Sequence, residues 1–313
     1  MLSNLNLITT WRCDLTCLHC LQGHPAECAD FPIELLPRLL KQARQFGASK
    51  VSLTGGEPHL HPQFEALVAT SVRAGYSWSI VSNGQQTTAC NAAIAKYGER
   101  FSGVSLSLDG ATPATHDAMR NRPGAFERVL CAIQNYLDQG VAVSTRTCLT
   151  RLNMQELDQI VRLGVDLGVS AMTFAGVIPT PWNRPLLLSD SEKLELYQSI
   201  NVLKDQTTIP LNTTSALYTS GGVNFCSVLD LYSLHFNPRG EMIFCCDTSG
   251  YGAVVGDLAK LPLKDLIESW LDRANEIRIQ RTRRIAQGQM GEGFDNCTFC
   301  NVYFDHRLPE SDY

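Results

Sequence analysis

Two spacings of apolar residues alternate along the chain. Stretches with a period of two predict strands, and stretches with a period near 3.6 predict helices. The predicted strands lie at residues 4–10, 50–56, 78–84, 101–110, 141–150 and 170–178. The predicted helices between them lie at residues 33–47, 64–75, 91–100, 125–140 and 153–168. Six strand–helix alternations predict an α/β fold with a parallel sheet, either an open doubly wound sheet or an incomplete barrel.

The pattern changes near residue 185. Residues 178–188 carry three prolines and predict a connector. The elements predicted beyond it are a helix at 190–204, a hairpin-like segment at 234–247, an amphipathic helix at 263–280 and a glycine-rich loop at 287–300. We therefore predict two domains, residues 1–185 and a small α+β domain at residues 186–313.

Composition narrows the possible partners and the compartment. A net charge of −5 gives no electrostatic support to nucleic-acid binding. No apolar run approaches the ~20 residues of a membrane span, and the N-terminal residues lack the basic region of a signal peptide. We therefore expect a cytoplasmic protein without a membrane partner. Because the cytosol keeps thiols reduced, its twelve cysteines favour metal binding over disulfides.

Three cysteines crowd into the segment behind the first predicted strand, with the spacing CxxxCxxC. They are Cys13, Cys17 and Cys20. Three thiolates leave a tetrahedral zinc site one ligand short. His19 is a conceivable fourth ligand, although its position beside Cys20 would strain the loop. A 4Fe–4S cube accepts three protein thiolates and leaves its fourth iron open, so it fits the spacing better.

This segment, together with "LTGGEP" at the end of the second strand, resembles the radical S-adenosylmethionine (SAM) superfamily. The segments "VSNG" (81–84), "SLSLDG" (105–110) and "THDAMR" (115–120) fit the same family. The resemblance implies a partial (β/α)6 TIM barrel, with the three cysteines holding a 4Fe–4S cluster. It also implies that SAM is bound by Gly55, Gly56, Glu57, Pro58, Ser82, Asn83, Ser107, Asp109 and Arg120.

Physical roles can be assigned to several of these residues. The glycine pair would let the backbone approach the ligand closely. Glu57 would accept hydrogen bonds from the ammonium group of SAM. Asp109 would accept hydrogen bonds from ribose hydroxyls.

A second group of cysteines lies near the C-terminus, with the spacing Cx13GxxxxC followed by CxxC. It resembles the Twitch domain, a shorter relative of the SPASM domain of many radical SAM enzymes. The resemblance implies one auxiliary 4Fe–4S cluster held by Cys226, Cys245, Cys297 and Cys300. Four cysteines in two pairs are also compatible with structural zinc.

Cys246 is left over from this set. If Cys245 and Cys246 lie on one strand, their side chains point to opposite faces. Cys246 would then be either a buried packing residue or a thiol that donates hydrogen to a substrate radical, as in radical SAM peptide epimerases. We treat Cys246 as the candidate catalytic residue.

The function implied is reductive cleavage of SAM to a 5′-deoxyadenosyl radical, which abstracts hydrogen from a substrate C–H bond. The expected cofactors are two 4Fe–4S clusters and SAM, and the expected electron source is a reductant such as flavodoxin or ferredoxin. A ribosomally made peptide, modified by epimerisation, cross-linking or oxidation, is the favoured substrate. Oxidation of a small-molecule alcohol is the alternative. A metal-binding module without turnover is more remote, because it would need no site for the SAM amine.

Overall fold

A computed structural model describes residues 2–23, 28–217, 226, 228–248, 253–288 and 296–305. Its strands are β1 (Asn4–Ile8), β2 (Lys50–Thr54), β3 (Ser77–Ser82), β4 (Phe101–Ser107), β5 (Val143–Leu149), β6 (Ala171–Gly176), β7 (Leu211–Thr213), β8 (Ser233–Phe236), β9 (Glu241–Ile243) and β10 (Val254–Asp257). Its α-helices are α1 (Leu36–Arg44), α2 (Phe64–Arg73), α3 (Thr88–Tyr97), α4 (Pro113–Arg120), α5 (Ala125–Asp138), α6 (Leu157–Leu167), α7 (Asp190–Gln206), α8 (Leu263–Ala286) and α9 (Asn296–Asp305).

All of these strands belong to one sheet with the order β10-β9-β8-β1-β2-β3-β4-β5-β6-β7. Neighbouring strands from β8 through β1 to β7 pair in parallel, whereas β9 and β10 pair antiparallel. The alternation of strands and helices predicted from periodicity is confirmed. The C-terminal hairpin adds to the sheet beside β1, and β7 adds to it at the far edge beside β6. The predicted division at residue 185 stays a prediction.

Burial alternates along the parallel strands and separates two faces of the sheet. In β2, Val51 and Leu53 are buried in a core shared with the helices, while Ser52 between them is half-buried. Ser52 lies beside Ser79 of β3, with 3.0 Å between their hydroxyl oxygens. The face turned away from the helices is therefore polar and lined largely by small side chains.

Several element boundaries differ from the sequence prediction. The helix predicted at 33–47 begins as a 3₁₀ turn, Ile33–Leu35, before α1. The short strand β7 and the helix α4 had no periodic signal of their own. Part of the predicted loop at 287–300 lies outside the described residues, and the part from Asn296 onwards is helical. Among the described helices, none has the length and apolarity needed to cross a lipid bilayer.

The C-terminal hairpin is fixed by an aromatic contact with α8. Trp270, only 1% exposed, stacks on Phe244 with 5.3 Å between ring centroids and an interplanar angle of 13°. Its indole N–H donates to the Phe244 carbonyl at 3.1 Å. Phe244 immediately precedes Cys245, so this contact sets the position from which the second cysteine group starts.

We predict that Trp270→Ala lowers the free energy of unfolding by about 3–5 kcal/mol, because it removes a buried indole from a packed core. Trp270→Phe keeps the ring contact and loses only the N–H bond, so it should cost about 1–2 kcal/mol. Urea denaturation of the iron-free protein measures both. Equal losses in the two variants would contradict the importance of the stacked ring.

Candidate active site

The segments that follow the first five strands meet at the carboxyl edge of the sheet. Cys13 is exposed and Cys17 and Cys20 are half-buried in the segment after β1. This segment is anchored by Leu15, which is 3% exposed, and by the Leu18 N–H, which donates to the Met119 carbonyl of α4 at 3.0 Å. The structure therefore brings the three predicted cysteines to the edge where ligands of parallel α/β folds bind.

Gly55 and Gly56 permit a close backbone contact between the loop after β2 and the segment after β1. The Gly56 N–H donates to the Thr10 carbonyl at 2.8 Å, and the Glu57 N–H donates to the Arg12 carbonyl at 2.7 Å. A Cβ atom on Gly55 would lie 2.5 Å from the Thr10 oxygen, and one on Gly56 would lie 2.2 Å from the Arg12 oxygen. From sequence, these glycines were expected to let the backbone approach a ligand. The atoms that exclude a side chain are instead backbone atoms of the cysteine segment.

Glu57 is fully buried, and both of its carboxylate oxygens face protein groups. Oε2 accepts from the Asn83 N–H at 2.8 Å, and Oε1 lies 2.9 Å from His59 Nδ1. Burial disfavours a charged His59, but the contact with Glu57 outweighs it and raises the pKa of His59 above its ordinary value. From its position beside the GGEP motif, His59 could line the site or be a polar loop residue, and the loop residue was the favoured interpretation. The structure places its buried ring against Glu57. Pro58 is also buried.

The end of β3 lies at the same edge of the sheet, beside the segment that bears Cys13. The Asn83 side chain donates from Nδ2 to Asp14 at 2.8 Å and approaches Cys13 Sγ at 3.8 Å. Ser82 is turned to the backbone, where its hydroxyl accepts from the Gly84 N–H at 3.1 Å. Asn83 therefore contacts the cysteine segment directly, whereas the described contact of Ser82 is a local turn.

Asp109 and Arg120 form a buried ion pair behind Cys17. Arg120 Nη2 lies 2.7 Å from Asp109 Oδ2, and Arg120 Nη1 donates to Cys17 Sγ at 3.6 Å. Asp109 Oδ1 accepts from the Cys148 N–H at 2.8 Å. Burial opposes the charge on Asp109, yet Arg120 and the other groups around the carboxyl, among them the Cys148 N–H, together outweigh it and lower the pKa of Asp109. Both oxygens predicted to meet ribose hydroxyls thus already contact protein groups.

Two further residues of the sequence analysis have definite places. His19 lies with Nε2 3.4 Å from Asp109 Oδ2, and burial lowers its pKa to about 4, so it is neutral. It therefore faces the ion pair behind Cys17. Ser107 is half-buried at the end of β4, in register with Arg146 of β5.

Trp182 is a contact that sequence reasoning missed. Its indole N–H donates to the Cys20 carbonyl at 2.9 Å, and its ring lies so close to Gly23 that a Cβ there would be 2.4 Å away. No spacing signal marks it, because it lies 162 residues from its partner. The proline-containing connector thus closes over the cysteine segment.

The second cysteine group gathers around Asp247. Cys246 Sγ lies 3.4 Å from Oδ1 of this carboxylate, and Cys297 Sγ of α9 lies 3.9 Å from Oδ2. The charge of Cys246, followed by burial, raises the pKa of Asp247 to about 7. Cys226 and Cys300, both half-buried, pack against the adjoining core.

The prediction that Cys246 points away from Cys245 was wrong. Strand β9 ends at Ile243, and Cys246 begins a 3₁₀ turn that runs to Thr248. Successive side chains in a turn do not point to opposite faces as they do in a strand, so Cys246 is not directed away from Cys245. The ligand atoms of Cys245, Cys246 and His235 all lie within 4.8 Å of one another.

The surroundings of the first cysteine group fit a bound polar cofactor. Buried nitrogens of His59 (Nε2) and Arg120 (Nε) have no hydrogen-bond partner among the described residues. Each belongs to a side chain that contacts Glu57 or Asp109. Buried polar atoms are normally paired, so these donors fit a ligand that brings oxygen atoms to this edge.

Comparison with known families agrees with this geometry. The family model described as "Radical SAM superfamily" matches residues 7–164. An AdoMet-dependent heme synthase of Nitratidesulfovibrio vulgaris is 30% identical over 55% of this chain and 47% of its own. The mycofactocin maturase MftC of Mycobacterium tuberculosis is 29% identical over 75% of this chain and 62% of its own. The PqqA peptide cyclase of Ruegeria pomeroyi is 26% identical over 61% of this chain and 52% of its own. The chain thus spans about half to three fifths of these relatives.

Solved structures share the fold. SuiB of Streptococcus suis, bound to the precursor peptide SuiA, superposes with a TM-score of 0.68 at 15% identity, over 85% of this chain and 64% of its own. The enzyme anSMEcpe, with bound AdoMet and the peptide Kp18Cys, gives 0.70 at 14% identity, over 89% and 84%. The predicted fold class, a partial barrel with a C-terminal α+β extension, is confirmed by this likeness.

We predict that Arg120→Met lowers the free energy of unfolding by about 3–5 kcal/mol, because it leaves the buried Asp109 charge without a partner. The double variant Asp109→Asn/Arg120→Met removes both charges and should cost less than Arg120→Met alone. Urea denaturation of the iron-free proteins gives the comparison. A double variant whose loss of stability equals the sum of the losses in Arg120→Met and in Asp109→Asn would contradict the coupling.

Proposed function

The chain belongs to the radical SAM superfamily, and on that premise we propose that it is an enzyme that cleaves SAM reductively and modifies a peptide. The observation that carries the proposal is the backbone contact of residues 55–57 with residues 10–12, which joins the three cysteines to the GGEP loop. A protein that only stored metal would need no such loop. When bound, the cluster and SAM supply a 5′-deoxyadenosyl radical that removes hydrogen from a substrate C–H bond.

The residues at the sheet edge divide the tasks of holding these groups. Cys13, Cys17 and Cys20 hold the cluster. Glu57 binds the SAM amine, and His59 orients the carboxylate of Glu57. Arg120 supplies a cation beside Cys17, and Asp109 fixes that cation in place. The remaining SAM contacts inferred for this site come from Gly55, Gly56, Pro58, Ser82, Asn83 and Ser107.

A peptide is the substrate class that the comparisons favour. One sequence relative is named a peptide cyclase, and SuiB and anSMEcpe, two of the solved structures that share the fold, have each been determined with a bound peptide. The match to the heme synthase favours a small molecule instead, but it covers 55% of this chain, whereas the match to the maturase MftC covers 75%. A flavodoxin or ferredoxin is the reductant inferred for the reaction.

The second cysteine group is proposed to hold an auxiliary 4Fe–4S cluster through Cys226, Cys245, Cys297 and Cys300. Its support is the approach of Cys245 and Cys297 to the neighbourhood of Asp247, with α9 packed against residues 246–248. Cys246 is then a free thiol beside the cluster. In this position it can donate hydrogen to a substrate radical, or the cluster can take an electron from that radical instead.

The enzyme assignment predicts that the reconstituted protein, reduced with dithionite, converts SAM slowly to 5′-deoxyadenosine without substrate. Glu57→Gln should weaken SAM binding by more than tenfold, because its proposed partner is a charged amine and such bonds are worth about 1.5–3 kcal/mol. Exposed Glu127 of α5 provides the matched control, and Glu127→Gln should bind SAM normally. Liquid chromatography and equilibrium dialysis measure the two quantities. Absence of SAM cleavage by a fully reconstituted protein would refute the enzyme assignment.

The two-cluster assignment predicts about eight irons per chain after anaerobic reconstitution. A Cys13/Cys17/Cys20→Ala variant should retain about half, and Cys245→Ala should lose the other half. Cys246→Ala should keep all the iron and the SAM cleavage while losing any product that needs a hydrogen donor. Zinc in the C-terminal site, or iron loss in Cys246→Ala equal to that in Cys245→Ala, would overturn the ligand set. Metal analysis of the purified variants decides.

A further inference from the structure

Arg146 occupies an unusual place in the middle of β5. The alternate residues of this strand are buried in the core with the helices; they are Val143, Thr145, Thr147 and Leu149. Arg146 is exposed and shares the opposite, polar face with Ser144 and Cys148. An arginine on the inner face of a barrel strand lies where a substrate would be enclosed, and a charge there calls for a function.

Its neighbours leave room for a ligand. Arg146 is in register with Ser107 of β4 on one side and Thr173 of β6 on the other. Both side chains are small hydroxyl groups, so neither fills the space above the sheet or neutralises the guanidinium. The Arg146 carbonyl accepts from the Leu108 N–H at 3.0 Å, but its side chain forms no hydrogen bond and no ion pair within 4.0 Å with the residues that the structure describes. A guanidinium presents five donors in a planar fork, and none of the described residues pairs with these donors.

Arg146 adjoins residues near both candidate cluster sites. Along β5 it lies two residues before Cys148, whose N–H holds Asp109 beside the first cysteine group. Its charge also interacts with Asp247 and Cys246 beside the second group. A group bound at Arg146 would therefore lie between the two cysteine groups.

We propose that Arg146 binds a carboxylate of the substrate inside the barrel. This inference rests on the proposed function and specifies the substrate class, namely an acidic peptide or a small organic acid. A carboxylate matches the guanidinium fork with two parallel hydrogen bonds, and the Thr173 hydroxyl, in register with Arg146, can add a donor. SAM also carries a carboxylate, and Ser107, one of the SAM contacts inferred above, is in register with Arg146 on the other side. The SAM affinity of the Arg146 variants therefore distinguishes a substrate carboxylate from the carboxylate of SAM.

Binding of defined probes to the reconstituted enzyme with SAM tests the proposal. Two fluorescent decapeptide pools, both C-terminally amidated, differ only in that one contains Asp and Glu where the other contains Asn and Gln. A third pool has a free C-terminal carboxylate and no acidic side chain, and glutarate serves as the small-acid probe. Fluorescence anisotropy measures peptide binding, and isothermal titration measures glutarate.

The wild-type protein should bind at least one carboxylate-bearing probe about tenfold or more tightly than the amide pool. Arg146→Gln should abolish that preference, and Arg146→Lys, which keeps the charge and loses the fork, should retain part of it. Preference for a peptide pool identifies a peptide carboxylate, and binding of glutarate alone identifies a small acid. Exposed Arg162 of α6 is the charge-matched control, and Arg162→Gln should bind as the wild type does.

Three outcomes would overturn the proposal. They are a wild-type protein without preference for carboxylates, an Arg146→Gln variant that keeps the preference, and an Arg146→Gln variant that loses SAM affinity as much as probe affinity. Iron content and substrate-free 5′-deoxyadenosine formation, measured on the same samples, should be unchanged in Arg146→Gln. Failure of SAM cleavage in the wild type would instead refute the proposed function, while the carboxylate preference is still measured.

Discussion

The close approach of two backbone segments is the constraint on which the candidate site depends. Residues 55–57 lie against residues 10–12, with N–H···O bonds of 2.8 and 2.7 Å. The approach is possible because neither Gly55 nor Gly56 has a Cβ, which would lie within 2.5 Å of a carbonyl oxygen. This backbone contact therefore fixes the position of Glu57 relative to the segment that bears Cys13. In the proposed function, metal ligation and SAM recognition are therefore coupled through main-chain atoms as well as through the Asn83 side chain.

A buried ion pair fixes the relative position of two further elements behind the cysteine segment. Asp109 and Arg120 are both buried, and each is stabilised chiefly by the other. Removing charge from water is costly unless it is paired, so the strand end that carries Asp109 and the helix α4 that carries Arg120 are held at a fixed distance. Arg120 extends this constraint to Cys17, and Asp109 extends it to the backbone of β5 at Cys148.

The inner face of the sheet links this edge to the second cysteine group. It is polar and carries small hydroxyl side chains such as Ser52 and Ser79, in contrast to the apolar face packed against the helices. Arg146 places a charge on this face, two residues from Cys148 along the strand, and that charge interacts with Asp247 beside the second cysteine group. In the proposed function, a substrate carboxylate bound at Arg146 would be oriented by the protein while the cofactors supply the chemistry.

The sequence by itself determined the strand–helix alternation, because burial on one side of each strand and helix leaves a periodic signal in the residues themselves. It also determined the cysteine spacing and the GGEP motif, since both are local. The tertiary structure decided the features that depend on partners far apart along the chain. Trp182 meets Cys20 across 162 residues, and the reason for the glycine pair lies in residues 10–12. The direction of Cys246 followed from a strand that ends at Ile243, which no periodicity over three residues can reveal. Short-range patterns record which side of an element is buried, but only the folded chain decides which elements meet.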